Sequence, residues 1–149
     1  MNVFMLLIPR VDVCVLHDTD TLRQGLEKMR FHGYTALPVI SADGQFVGCV
    51  NEGDFLWHLL RYGGDMKAQE QFLVRDILRP ELNPAVDSTV TMDELLERAM
   101  SQNFIPVVDD RNCLCGIVTR RRVIRVMLVE QQANADKQLA PSTIYISQP

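Results

Sequence analysis

Thr119, Arg120, Arg121 and Arg122 set three guanidinium groups directly behind a hydroxyl, at what reads as a helix start. The chain around them is acidic, with a net charge of −4. Cations at a helix N-terminus oppose the helix field, at a cost of about 0.3–1 kcal/mol each. They become favourable when an anion sits between them and the first turn, since backbone N–H groups and guanidinium forks bind the same phosphate. A ligand with two phosphates could use several of these arginines. The row reads also as a solvated face paired with Asp109, Asp110 or Glu130, pairs that are worth little when exposed. Nucleic acid fits poorly, because an acidic chain without a basic stripe lacks the electrostatic footprint.

Other reactive side chains do not assemble into a pattern. Cys113 and Cys115 stand two apart on one strand face, with no further Cys or His pair at metal-ligand spacing. Cys14 and Cys49 lie in apolar runs and read as buried thiols. His17, His32 and His58 are scattered, and no Ser-His-Asp or Cys-His order is present. The expectation is a protein that is not an enzyme, with no metal and no cofactor. Four cysteines and a start, MNVFMLLIPR, without a basic leader region or a bilayer-length apolar run predict a reducing, cytoplasmic setting and no membrane insertion.

What positions the arginine row is an internal repeat. Pro38 and Gly48 recur as Pro106 and Gly116, both displaced by 68 residues. TLRQGLEKMR aligns with TMDELLERAM at a displacement of 70, so two residues are missing from the second copy before Pro106. Pro9 stands six residues before Val15 as Pro80 stands six before Val86. The 149 residues therefore divide into copy one (1–65), copy two (66–130) and a C-terminal tail (131–149) that loses periodicity.

Each copy carries the same signals in the same order. A short apolar run (13–16; 85–86) precedes a helix with a capping-box start, Thr21 with Gln24 and Thr91 with Glu94. Leu22, Leu26 and Met29, and Met92, Leu95, Leu96 and Ala99, recur at helical spacing. Two strands follow, turning at Asp43-Gly44 and at Arg111-Asn112. A closing helix is capped by Asp54 in copy one and by Thr119 in copy two. The fold class is α/β (α+β), built from tandem β-α-β-β-α units.

The doubled pattern of Pro-Val, hydrophobic residues and strand glycine resembles a pair of cystathionine-β-synthase (CBS) domains, the pseudo-twofold Bateman module, over about residues 1–130. GYTALPV and GIVTRR also resemble the small free-standing CBS proteins of Gram-positive bacteria that bind cyclic di-AMP. The resemblance implies two clefts between packed sheets, an adenosine-containing ligand in them, and a homodimer regulating a protein target. Aliphatic walls would cover the faces of adenine while backbone groups meet its polar edge. In copy one the matching wall is Val13, Cys14 and Val15 with Tyr34, Thr35, Ala36 and Leu37 before Pro38. In copy two it is residues 84–86 with Phe104, Ile105 and Pro106.

By the same resemblance a carboxylate six residues after the strand glycine accepts from the ribose hydroxyls, and Asp54 fits. A threonine three residues after that glycine bonds ribose or phosphate, and Thr119 fits. The copies depart from the family pattern in opposite ways: Asn51 replaces the threonine in copy one, and Arg122 replaces the aspartate in copy two. Asp54 and Thr119 read equally as helix caps only, and Tyr34, Phe104 and Ile105 as core. Two functions follow: a non-enzymatic sensor of an adenine nucleotide, cyclic di-AMP or AMP/ATP, or a constitutive dimeric interaction module with vestigial clefts.

Overall fold

The computed structural model describes residues 2–65 and 67–139. In chain order these form β1 (Ile8–Pro9), β2 (Leu16–His17), α1 (Leu22–His32), β3 (Ala36–Ile40), β4 (Phe46–Asn51) and α2 (Glu52–Tyr62). After a linker of short 3-10 turns come α3 (Met92–Ser101), β5 (Phe104–Val108), β6 (Leu114–Thr119) and α4 (Arg120–Leu139). One sheet has the order β2-β3-β4, with β2 parallel and β4 antiparallel to β3. The other has the order β1-β6-β5, all antiparallel neighbours.

The copies exchange their leading segments. β1, from the start of copy one, pairs with β6 of copy two, Ile8 opposite Ile117 and Pro9 opposite Gly116. Reciprocally Arg79, in the leading segment of copy two, exchanges both backbone hydrogen bonds with Cys49 of β4, at 3.3 and 3.2 Å. The single leading strand expected at residues 13–16 is thus replaced by two short strands separated by the 3-10 turn Arg10–Asp12 and residues 13–15. In copy two they shrink to the bridges of Arg79 and of Val86 with Val107. The apolar run is divided because it serves two cores: Val13 and Val15 face the layer between the sheets, Leu16 the interior of copy one.

The exchange explains the glycines that mark the repeat. A Cβ on Gly116 would collide with the Ile8 carbonyl oxygen, and one on Gly48 would sit 3.0 Å from the Arg79 oxygen. Both have positive φ, 159° and 146°, which a side chain would strain. At the hairpin tips the copies bond each other symmetrically, Phe46 N donating to Asn112 O (2.8 Å) and Leu114 N to Gly44 O (3.0 Å). Gly44 and Asn112 are left-handed, one with no Cβ and one tolerant of that region.

The helices begin largely as the sequence indicates. Thr21 and Gln24 form a reciprocal capping box on α1. Thr91 accepts from Glu94 N, but the Glu94 side chain turns to Arg98 instead of closing the box. Asp54 is not the cap of α2: Asn51 is, with Asp54 three residues on accepting from Asn51 N to complete the box. Thr119 caps α4, accepting from Arg122 N at 3.2 Å. The expected tail from residue 131 is also corrected, since α4 continues to Leu139. Alanine, glutamine, lysine and leucine favour helix; losing the apolar period removes burial, not helicity. Residues 140–149 lie outside the described residues.

Three apolar clusters hold these elements. One fills each copy, around Leu16, Leu22 and Val50, and around Leu95, Ile105 and Val118. The third, with Ile40, Phe46, Phe104 and Leu114, lies between the sheets. Because β1 can seat only on a bare glycine, Gly116→Ala is expected to lower stability by about 2–4 kcal/mol and Gly48→Ala by about 1–2, measured by urea unfolding.

Candidate functional site

The sheets leave two clefts along their shared layer, which meet at Thr35, Ala36 and Asn103. The tighter one is a mostly apolar cavity of about 280 Å³. From copy one it takes Val13, Cys14 and the strand-edge residues Tyr34, Thr35, Ala36, Leu37 and Pro38. Phe104, Ile117 and Thr119 close it from copy two, with Ile8 of the exchanged strand. The second cleft is broader, about 620 Å³, and carries Asn51, Glu52 and Gly53 of copy one against Leu82 and Asn83 of copy two.

Each cleft is therefore crossed. The copy-one wall faces the copy-two helix start at Thr119, and the copy-one helix start at Asn51 faces the segment leading copy two. Grouping Asp54 with the copy-one wall is corrected accordingly. Asp54 lines neither cleft: its Oδ2 accepts from Asn51 N at 2.8 Å, and Arg79 Nε lies 2.8 Å from its Oδ1. That N–H points off the oxygen, so the pair is one of charge rather than an aligned hydrogen bond. Its side chain is 9% exposed, with one oxygen bonded to the cap of α2 and the other beside a guanidinium.

Ile105 and Pro106 are likewise outside the cavity, Ile105 in the copy-two core and Pro106 paired with Ile117 within the sheet. Val15 is buried behind the cavity wall and faces an adjoining side pocket. Asn103, which lines both clefts, went unread in the sequence. The displacement of 68 that relates Pro38 to Pro106 also relates Thr35 to Asn103, and could have found it. Asn83 is buried with a left-handed φ of 52°, and only the Asn-Pro turn signal at Asn83-Pro84 hints at it.

The arginine row is held in a way neither reading anticipated. Arg120 Nε donates to Ala99 O at 2.7 Å. That carbonyl is in the last turn of α3, where helix oxygens lack partners and the dipole favours a cation. Arg122 Nη1 donates to the carbonyls of Leu6 and Leu7, both at 3.2 Å, and so clamps the segment that leads into β1. Among the described residues no ion pair joins the row to Asp109, Asp110 or Glu130, and Arg121 is the exposed member without a bond.

Two thiols border the shared layer. Burial pushes the Cys14 thiol up, against the opposing pull of Lys28 and Arg10. Burial alone pushes Cys49 up to about 12. Both are therefore protonated at neutral pH and act as small apolar wall residues. Among the described residues there is no group of three His, Cys, Asp or Glu that could hold a metal, and no helix long and apolar enough to cross a membrane.

Two sheets that exchange leading segments about a pseudo-twofold, with two clefts between them, define a paired-repeat module. The chain belongs to the CBS-domain family, whose model matches residues 8–61 and again 74–129. A homoserine O-acetyltransferase of Methanohalophilus mahii is 31% identical over 109 residues, 72% of this chain, which spans only 21% of that protein. CbpB in complex with c-di-AMP superposes with a TM-score of 0.83 at 19% identity, over 92% of this chain and 91% of that one. CBSX2 in complex with AMP gives 0.70 at 24% identity, over 87% and 98%. At these identities the likeness is one of fold.

The side-chain partners set the mutational expectations. Arg120→Ala strands the Ala99 carbonyl and Asp54→Asn removes the charge beside Arg79, so each should cost about 1–2 kcal/mol of stability. Arg121→Ala should stay within about 0.5 kcal/mol. Urea midpoints at constant m-value separate the three.

Proposed function

We propose that the protein is a non-enzymatic regulatory sensor that binds an adenine nucleotide in the tighter cleft and passes its occupancy to a protein target. The observation that carries this is the 280 Å³ cavity, with aliphatic and aromatic walls from both copies and the Thr119 hydroxyl at its edge. A flat purine needs apolar cover for its faces and a few polar groups for its rim, and the strand edge at Thr35 and Ala36 supplies both. The volume is at the small end for ligand sites, about 300–1,000 Å³, and suits one nucleoside. A cyclic dinucleotide would seat one nucleoside there and leave the other outside. The relatives crystallised with c-di-AMP and with AMP support the adenine class.

Because the walls come from both copies, a bound ligand would bias their packing, which is the differential affinity a sensor requires. The test is a thermal-shift series with AMP, ATP, cyclic di-AMP, S-adenosylmethionine and NAD. A selective ligand raises the melting temperature by mass action. Ala36→Leu, which fills the cavity, should abolish the shift, whereas a shift unchanged in that variant would place the ligand elsewhere.

The alternative, a constitutive dimeric module, has its own support in exposed apolar side chains. Leu56, Trp57 and Leu60 of α2 are 52%, 67% and 65% exposed, and Ile124 and Leu128 of α4 are 49% and 61%. Met127 of α4 is half-buried. These faces suit a homodimer through the closing helices, which serves either function. Light scattering should give a dimer, and Leu60→Glu with Leu128→Glu a monomer; a monomer of the unsubstituted protein at micromolar concentration would exclude it.

A further inference from the structure

A side pocket of about 340 Å³ adjoins the tight cavity, the two sharing Asp12, Val13, Cys14 and Tyr34 as a common wall. It contains two half-buried cations, Arg10 and Lys28, against one carboxylate, Asp12. Lys28 Nζ donates to Val15 O at 2.6 Å and Arg10 Nη1 to Val13 O at 3.4 Å, so both are anchored on the cavity wall. Neither forms an ion pair among the described residues. An anchored ammonium keeps two donors and a guanidinium four, which is unused anion-binding capacity.

The pseudo-equivalent pocket of copy two has the opposite charge. Glu81 stands where Arg10 does, in the register of Pro9 with Pro80, and Arg98 stands where Lys28 does. Arg98 also reaches back to the wall, at Pro84 O, but Glu94 one turn earlier neutralises it at 3.2 Å. The residue one turn before Lys28 is the uncharged Gln24, held in the cap of α1. Three carboxylates and one cation line that pocket. The two sides share a backbone plan but differ in charge, so only the copy-one side can receive an anion.

Resting on the nucleotide reading above, we infer that the phosphate of the adenine nucleotide is received by Arg10 and Lys28 in this side pocket, and not by the arginine row, so that each chain binds one nucleotide. Arg120 and Arg122 are committed to carbonyls, whereas Arg10 and Lys28 stand beside the cavity with donors free.

The experiment is isothermal titration of the full chain with adenosine, AMP and ATP. The unsubstituted protein should bind AMP at least about tenfold more tightly than adenosine, with one site per chain, through charge-assisted bonds. Arg10→Glu, which installs the copy-two residue, and Lys28→Met should each reduce that preference to within about threefold. Adenosine affinity, unchanged in at least Arg10→Glu, reports that the cavity is intact. Arg121→Ala should keep the preference. A preference retained in both side-pocket variants, or lost in Arg121→Ala, overturns the assignment while leaving the nucleotide reading standing. If the unsubstituted protein binds none of the three, the nucleotide reading fails and takes the assignment with it.

Discussion

Each copy lends its leading segment to the other, and the rest of the molecule follows from that loan. The lent backbone lies flat against Gly116 on one side and Gly48 on the other, close enough that a methyl group would intrude. Seated there, β1 leads the chain into the layer between the sheets, where Val13 and Cys14 become one wall of the cavity. The wall of a cleft and the helix start that faces it therefore belong to different copies. Neither cleft exists within a single repeat, and any ligand in one touches both.

Charge is distributed on this frame by small departures from symmetry. Backbone carbonyls, not side-chain acids, satisfy Arg120 and Arg122, so an arginine row can stand at a helix start in an acidic protein. Those contacts join the end of α3 and the amino-terminal turn to the start of α4. In copy one the Asp54–Arg79 pair does comparable work, tying α2 to the exchanged segment of copy two. Both positions that the family pattern would give to a ribose carboxylate thus act as fasteners between copies. Single changes such as glutamine for glutamate beside an otherwise matched cation then suffice to set the two flanks apart in potential.

Much of the fold was legible because its signals are local. Thr21 with Gln24, the proline and glycine at fixed separation, and the turns at Gly44 and Asn112 each name an element and its boundary. Tyr34 and Ala36 were named through the family resemblance, not through a local signal, and both line the tighter cavity. What escaped reading is non-local. A repeat states which residues are equivalent, but it is silent on whether equivalent parts meet within a copy or across copies, and Asp54 was misplaced on that account. Acceptors such as Ala99 O leave no trace in residue type, so the roles of Arg120 and Arg122 could not be read. The length of α4 was missed because periodicity reports burial, and its last turns are helical yet exposed.

The pairing of Ile8 with Ile117 has a consequence for synthesis on the ribosome. A chain that emerges amino-terminus first exposes its first strand long before the receiving strand exists. About a hundred residues must be made, and the entropy of closing that loop met, before the contact can form. The first sheet has an internal pairing of β2, β3 and β4 available early, but its β4 edge waits for Arg79. Folding is therefore weighted toward late, long-range contacts, which slows it and leaves strand edges open in the interval. The nascent first half is the state of this protein most in need of a chaperone.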